Sequence, residues 1–245
     1  MIRKVEGIVI KETDYKETSK IINIFTKEGI IGILAKGAKR LKSPFVGATS
    51  KLTYAYFHIN YKENSMSTLI EVDIIDTLKN LKKDITKIGY ASFITDLTYQ
   101  VYKHENNNSL YELYKSSIIK INEGYDPLVI TNILELKYLD YLGIRPIISK
   151  CVICGKDKNI ITISSYKGGY ICKSCHTNEK IISLKALKLI KMFYYIDISK
   201  ITKTDISANV KKEINTFIDE YYDRYAGLYL KSKSFLNNLS KANII

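Results

Sequence analysis

Long apolar runs are missing from this sequence of 245 residues. The longest uncharged apolar stretch, Gly29 to Ala35, falls far short of the roughly 18 residues a membrane-spanning helix needs, which excludes a helical membrane protein. The opening residues, Met-Ile-Arg-Lys-Val-Glu-Gly, lack the apolar block of a signal peptide, so a cytoplasmic location is expected. Histidine occurs only as His58, His104 and His176, and none stands in an H-x-E segment ahead of the cysteines, which excludes the zinc deaminases. A phosphate-binding glycine loop, a G-x-S-x-G nucleophile turn and a supported carboxylate pair are also missing. The acidic residues are scattered, each expected to be solvated, and no enzymatic role is expected.

Acidic residues are in short supply, 25 Asp and Glu against 38 Lys and Arg, for a net charge of +13. A basic chain points to a polyanionic partner, most often nucleic acid. The abundance of Ile, Lys, Asn and Tyr fits an AT-rich coding background, which would raise lysine evenly. The charge is not even. Residues 1–80 carry 13 basic and 9 acidic side chains, 81–144 carry 7 and 8, 145–191 carry 10 and 2, and 192–245 carry 8 and 6. The excess in 145–191 marks a local positive surface.

Two periodicities divide the chain. Val5 to Lys11, Lys20 to Lys27, Ile30 to Lys36, Leu52 to Tyr61 and Ser67 to Ile75 are rich in Ile, Val, Tyr and Phe and separated by Gly, Ser, Asp or Pro. Five short strands in so few residues fit a small antiparallel barrel such as the OB-fold. In the fourth run Ala55, Phe57 and Ile59 face one way, toward a core. Tyr54, Tyr56 and His58 face the other, as a base-stacking surface or a covered outer face. After Thr77 the period becomes helical. Helices are expected over Asp84 to Tyr102, over Leu110 to Ile121, and from Asp126-Pro127 to Gly143, an Asp cap with Pro at the first helical position. Helical pattern resumes at Ser183 and again over about Ala208 to Tyr229, before a polar tail with Phe235, Leu236 and Leu239. The fold class is therefore α+β: an OB-fold barrel over residues 1–80, then a helical domain over 81–245 with a cysteine module, 147–180, inserted.

The four cysteines, Cys151, Cys154, Cys172 and Cys175, follow the pattern C-x2-C-x17-C-x2-C. This is four-cysteine zinc spacing: a two-residue gap lets both thiolates of a pair reach one ion from a single turn. Ile160 to Ser164 and Tyr170-Ile171 read as two short strands joined at Lys167-Gly168-Gly169, the outline of a zinc ribbon. Disulfides would need an oxidising compartment, and a redox C-x-x-C would need one pair at a helix start. Four sulfur ligands leave no open position for water, so one structural zinc ion is expected. His176 reads as a bystander beside a complete ligand set.

Between Lys36 and Lys62 there are six positive charges and no acid. Lys36, Lys39, Arg40 and Lys42 form a flexible cationic loop at the barrel rim, suited to sequence-independent phosphate contact. Lys150, Lys167 and Lys173, with Lys156 and Lys158, decorate the cysteine module and extend the same candidate DNA path.

Taken in order, these parts resemble the RecO family of bacterial DNA repair and recombination mediators. The matching pieces are Glu6-Gly-Ile-Val-Ile-Lys11, Asp14-Tyr15-Lys16-Glu17, Phe25-Thr-Lys-Glu-Gly29, Ala35-Lys-Gly-Ala-Lys-Arg40 with Ser43, and Leu134-Glu-Leu136 with Leu142-Gly143 and Pro146 before Cys151. The ending Lys231-Ser-Lys-Ser-Phe-Leu236 is similar to the family's lysine-serine-phenylalanine tail. The resemblance implies an OB-fold and a helical domain with a zinc finger. It implies binding of single- and double-stranded DNA, annealing of complementary strands, and work with RecR and single-stranded DNA-binding protein to load RecA. The family's basic-loop role falls on Lys36, Lys39 and Arg40, and its metal positions on the four cysteines. A zinc-ribbon RNA-binding or transcription-associated factor is the alternative, and a magnesium nuclease would need clustered carboxylates that the sequence lacks.

Overall fold

The structure is a computed structural model that describes residues 1–63, 65–228 and 230–241, without the side chains of 231, 237 and 239–241. Five strands come first: β1 (Ile2–Tyr15), β2 (Ser19–Thr26), β3 (Gly29–Ala35), β4 (Tyr54–Asn60) and β5 (Ser67–Asp76). They close into a barrel in the order β1-β2-β3-β5-β4, every pair antiparallel except β3 with β5. This is the expected five-stranded OB-type closure. Closure rests on β1, which pairs with β2 and β4 and bends at a bulge between Val9 and Lys11. The strand is longer than the Val5 to Lys11 read from the sequence, because its polar ends are held by backbone pairing with β2 and β4 and by ion pairs such as Lys4–Asp73 and Glu12–Lys20. Ala55, Phe57 and Ile59 point inward as their alternation requires, joining Val5, Val9, Ile22, Ile24 and Ile33 in the barrel interior.

The helices are α1 (Lys79–Lys82), α2 (Ile85–His104), α3 (Leu110–Asn122), α4 (Pro127–Tyr141), α5 (Leu184–Tyr195), α6 (Ala208–Tyr225) and α7 (Lys231–Lys241). Three of their starts, those of α2, α4 and α5, are capped by a side chain. Asp84 accepts from the Thr86 and Lys87 amides, Asp126 from Leu128 and Val129, and Ser183 from Ala186. Helix α4 is buried on nearly every side and forms the centre of the layer. Gly143, at φ 70°, ends that run. The expected helix end at Tyr229 lies outside the described residues, and α6 closes at Tyr225. The tail read as polar is the helix α7, whose Leu236 is buried; the Leu239 side chain is outside the described set.

A second core runs through the helices and reaches into the barrel wall, taking in Ile8, Ile10, Phe25 and Leu52. Phe25 meets Tyr102 and Tyr111 edge-on, with ring centroids 5.2 and 5.6 Å apart. Beside it, Glu6 of β1 accepts from Tyr54 (2.7 Å), Tyr111 (3.1 Å) and Lys115 (3.0 Å). Burial works to raise this carboxyl, but those donors outweigh it and hold Glu6 below its usual range.

Candidate nucleic-acid interface and metal centre

The cysteine module is two strands, β6 (Ile160–Ser164) and β7 (Gly169–Cys172), between two cysteine turns. In the first turn the Cys151 amide donates to the Lys156 carbonyl at 2.7 Å and the Gly155 amide to the Cys151 carbonyl at 2.9 Å. Gly155 takes φ 73°, a left-handed conformation that few other residues enter cheaply. Cys172 ends β7, and Cys175 sits in the 3-10 turn that follows. Main-chain bonds tie the module's first residues to its hairpin, while side chains seat it on the helices, Ser165 donating to Glu220 and the Tyr170 hydroxyl to the Leu187 carbonyl. The Ile147 amide donates to the Gly168 carbonyl at 2.9 Å, the Tyr170 amide to the Ile147 carbonyl at 2.8 Å, and the Val152 amide to the Tyr170 carbonyl at 2.8 Å. A Cβ on Gly169 would lie 2.2 Å from the Ile147 oxygen, so only glycine fits there. The hairpin tip leans on α6, where the Tyr225 hydroxyl donates to the Tyr166 carbonyl at 3.1 Å and the Arg224 guanidinium sits 4.7 Å from the Tyr166 ring centroid.

All four cysteines are free of disulfides, and their sulfurs lie within 4.8 Å of one another. The Cys154 and Cys172 sulfurs are 3.6 Å apart. Tetrahedral metal–sulfur bonds of about 2.3 Å put neighbouring sulfurs about 3.8 Å apart, so the set fits one tetrahedral ion. The thiol chemistry agrees. Burial raises Cys151, but the amides of Cys154, Cys172 and Ile153 outweigh it and bring the thiol down to about 6. Cys175, hydrogen-bonded to the Cys154 thiol and partly desolvated, is pushed up to about 12. Four thiolates this close cannot all ionise without a cation among them. His176 is turned away, its Nε2 donating to the Glu179 carbonyl at 2.8 Å.

The basic segment after β3 is folded rather than loose. The Lys39 amide donates to the Thr18 carbonyl at 2.9 Å and the Gly37 amide to the Ser19 hydroxyl at 3.2 Å, tying it to the β1–β2 turn. Arg40 and Ser43 continue in hydrogen-bonded turns, with Ala38, Ala48 and Thr49 buried beneath. Lys36, Arg40 and Lys42 are exposed and have no ion-pair partner among the described residues. Lys39 is engaged by Asp14 at 2.7 Å, a bond that holds the Asp14 carboxyl below its usual range. The turn and the segment flank an open cleft of about 370 Å³ lined by Tyr15, Lys16, Ser19, Leu34, Lys36 and Arg40. Tyr15 and Lys16, part of the Asp14 to Glu17 piece of the resemblance, take no binding role from the sequence, because the cleft exists only once two turns distant in sequence are tied together.

On the cysteine module, Lys150 and Lys173 are exposed without an ion-pair partner among the described residues, whereas Lys167 pairs with Glu179 and donates to Thr177 at 3.2 Å. The outer residues of β4 are likewise engaged. Tyr54 donates to Glu6, Tyr56 lies under Lys4 at 4.6 Å, and His58 meets Asp73 at 2.9 Å. Glu135, expected to be solvated, is buried in α4, where desolvation and the nearby Asp219 raise its carboxyl well above the usual range.

A barrel with a cationic rim, sharing a core with helices that carry a four-cysteine metal site, defines an α+β class of two-part protein. Comparison with known proteins narrows it. Residues 1–78 match the family "Recombination protein O N terminal" and residues 82–234 the family "Recombination protein O C terminal". The chain is 35% identical over 245 residues to the DNA repair protein RecO of Listeria monocytogenes serotype 4b (strain CLIP80459), covering 98% of this chain and 96% of that protein. It is 36% identical over 244 residues to RecO of Halalkalibacterium halodurans, covering 98% and 96%. Against RecO of Bacillus cereus (strain AH187) it is 34% identical over 249 residues, covering both chains completely. The chain belongs to the RecO family of DNA repair and recombination proteins.

Proposed function

We propose that this protein is a recombination mediator that acts by binding and annealing DNA, without a covalent step. It binds single and double strands, brings complementary single strands together, and with RecR helps load RecA onto strands coated by single-stranded DNA-binding protein. The observation that carries this reading is the row of exposed, unpaired cations Lys36, Arg40 and Lys42 on the barrel of a RecO-family chain. A cationic surface lowers the repulsion between two polyanions and leaves their bases free to pair. In this reading Lys39 positions the segment through Asp14, and Lys150 and Lys173, steadied by the Lys167–Glu179 pair, extend the phosphate path onto the cysteine module.

The functional units are a barrel over residues 1–80 and a helical domain over 81–245 with the ribbon 147–180 inserted. Cys151, Cys154, Cys172 and Cys175 would hold one structural zinc ion, whose bound charge neutralises the four thiolates. The ribbon then presents its lysines on a fixed frame. The site of action is the bacterial cytoplasm, at the nucleoid. Among the described residues no helix is long and apolar enough to cross a membrane.

The test is annealing of complementary oligonucleotides coated with single-stranded DNA-binding protein, with and without RecR. Replacing Lys36, Lys39 and Arg40 together by alanine should weaken DNA binding at least about tenfold and flatten its salt dependence by about two to three phosphate contacts. Unchanged affinity and annealing would remove the barrel rim from the DNA path. Binding and annealing of RNA in preference to DNA would favour the alternative of an RNA-binding or transcription-associated factor.

A further inference from the structure

The cleft between the β1–β2 turn and the basic segment has a chemistry that phosphate contact alone does not use. Tyr15 and Ser19 close the β1–β2 hairpin as its last paired residues. The first turn residue between them, Lys16, is left-handed at φ 53°. That turn leaves Tyr15 on the cleft with 38% of the residue exposed, and the apolar Leu34 of β3 also lines it. The Lys16 ammonium stands 5.5 Å from the Tyr15 ring centroid, and Lys36 and Arg40 line the opposite wall. The cleft lining contains no carboxylate. Its two walls are pinned by the Lys39–Thr18 and Gly37–Ser19 bonds, so its shape exists before any ligand arrives. An aromatic face beside three cations, in a space of about 370 Å³, matches one nucleotide: a base for the ring and a phosphate for the cations.

We infer that this cleft is a single-nucleotide subsite in which Tyr15 stacks on an unpaired base while Lys16, Lys36 and Arg40 hold the adjoining phosphate. The inference rests on the DNA-binding reading and adds to it a preference. A base in a duplex is covered on both faces by its neighbours and offers Tyr15 nothing, so the subsite takes single strands and rejects paired ones. Tyr54 and Tyr56 lack this combination, since Tyr54 is bonded to Glu6 and the Lys4 ammonium over Tyr56 is itself paired with Asp73, whereas Lys16 over Tyr15 has no ion-pair partner among the described residues.

The test uses the full chain and three probes of equal length: a single-stranded oligonucleotide, the same backbone with abasic sugars throughout, and the duplex. Tyr15→Ala should bind the normal single strand about tenfold more weakly, the scale of one lost stacking contact, and bind the abasic strand and duplex as the parent does. Its salt dependence should be unchanged, because no phosphate contact is lost. Tyr15→Phe, which keeps the ring, should restore parental affinity for the single strand. Equal losses on all three probes, or no rescue by Tyr15→Phe, would overturn the stacking role. So would a Tyr15→Ala protein indistinguishable from the parent on every probe. In each of those cases the parent still binds DNA and the broader reading stands. If the parent itself bound none of the three probes, the DNA-binding reading would fail and take the subsite with it.

Discussion

Glu135 sits between Leu134 and Leu136 in the central helix, and only 4% of its surface is exposed. Its carboxyl is raised by burial and by Asp219, with Lys233 pulling in the opposite direction. Asp219 is itself raised by burial, partly offset by Lys233 at 3.2 Å. A carboxyl whose folded value lies above its unfolded value favours folding while protonated. That contribution is complete below the unfolded value and is lost as pH rises through the folded one. Glu135→Gln cannot ionise, so its advantage over the parent should be absent near pH 4 and grow as the pH rises. At neutral pH the gain should appear as a higher melting temperature, about 2–4 °C for each kcal/mol in a chain of this size. Thermal melts of both proteins between pH 4 and pH 8 check this, and a difference independent of pH would place the ionised form in the folded state. The burial of Glu135 was hidden in the sequence because a single acid in an apolar helix reads as the solvent face. Helix α4 has no solvent face along most of its length. The cysteines were legible for the opposite reason: their spacing is local and their chemistry has few uses. Tyr15 and Lys16 left no trace as a site, since their partners Lys36 and Arg40 reach them only through hydrogen bonds between separate turns.

At the scale of elements, strands and helices followed their periodicity closely, with two exceptions of different cause. Strand β1 extends beyond its apolar centre because its ends are held by backbone pairing with β2 and β4, which no side-chain pattern reports. Helix α7 is rich in Lys, Ser and Asn, so its short apolar stripe was lost in polar sequence. It is held by Lys233, which bonds Asp219 and Asp223 of α6 at 3.2 Å each, and by the buried Leu236. The cysteine ribbon is a separate case. It has little apolar core of its own, and the four sulfurs stand in for one. Chelation of the metal should therefore speed amide hydrogen exchange across residues 147–180 while leaving the barrel strands β1 to β5 protected. Exchange measured by mass spectrometry before and after chelation decides it, and loss of protection in the barrel at the same chelator concentration would contradict the division.

In the whole molecule, barrel and helices are joined more deeply than their separate periodicities implied. Phe25 points out of the barrel wall into Tyr102, Tyr111 and Tyr114, and Glu6 carries a three-donor network across the same boundary. A fragment of residues 1–80 would expose Phe25 and leave Glu6 without Tyr111 and Lys115. It should unfold at a clearly lower urea concentration than the barrel does within the full chain. Losing a buried aromatic contact of this kind costs about 3 kcal/mol, and Glu6, left with Tyr54 alone, adds to that. Urea titrations of the fragment and of the full chain would measure the gap, and coincident midpoints would mean that the boundary carries no stability. The ribbon is joined differently. Its internal frame, residues 147–152 bonded to the hairpin, is made by carbonyls and amides that every residue but proline possesses, and it meets the helices through Ser165, Tyr170 and Tyr225. The lysines that decorate it can therefore be exchanged, added or lost over generations without moving the frame that displays them. Two positions in that frame lack such freedom: Gly169, where any side chain would meet the Ile147 oxygen, and Gly168, whose backbone is left-handed.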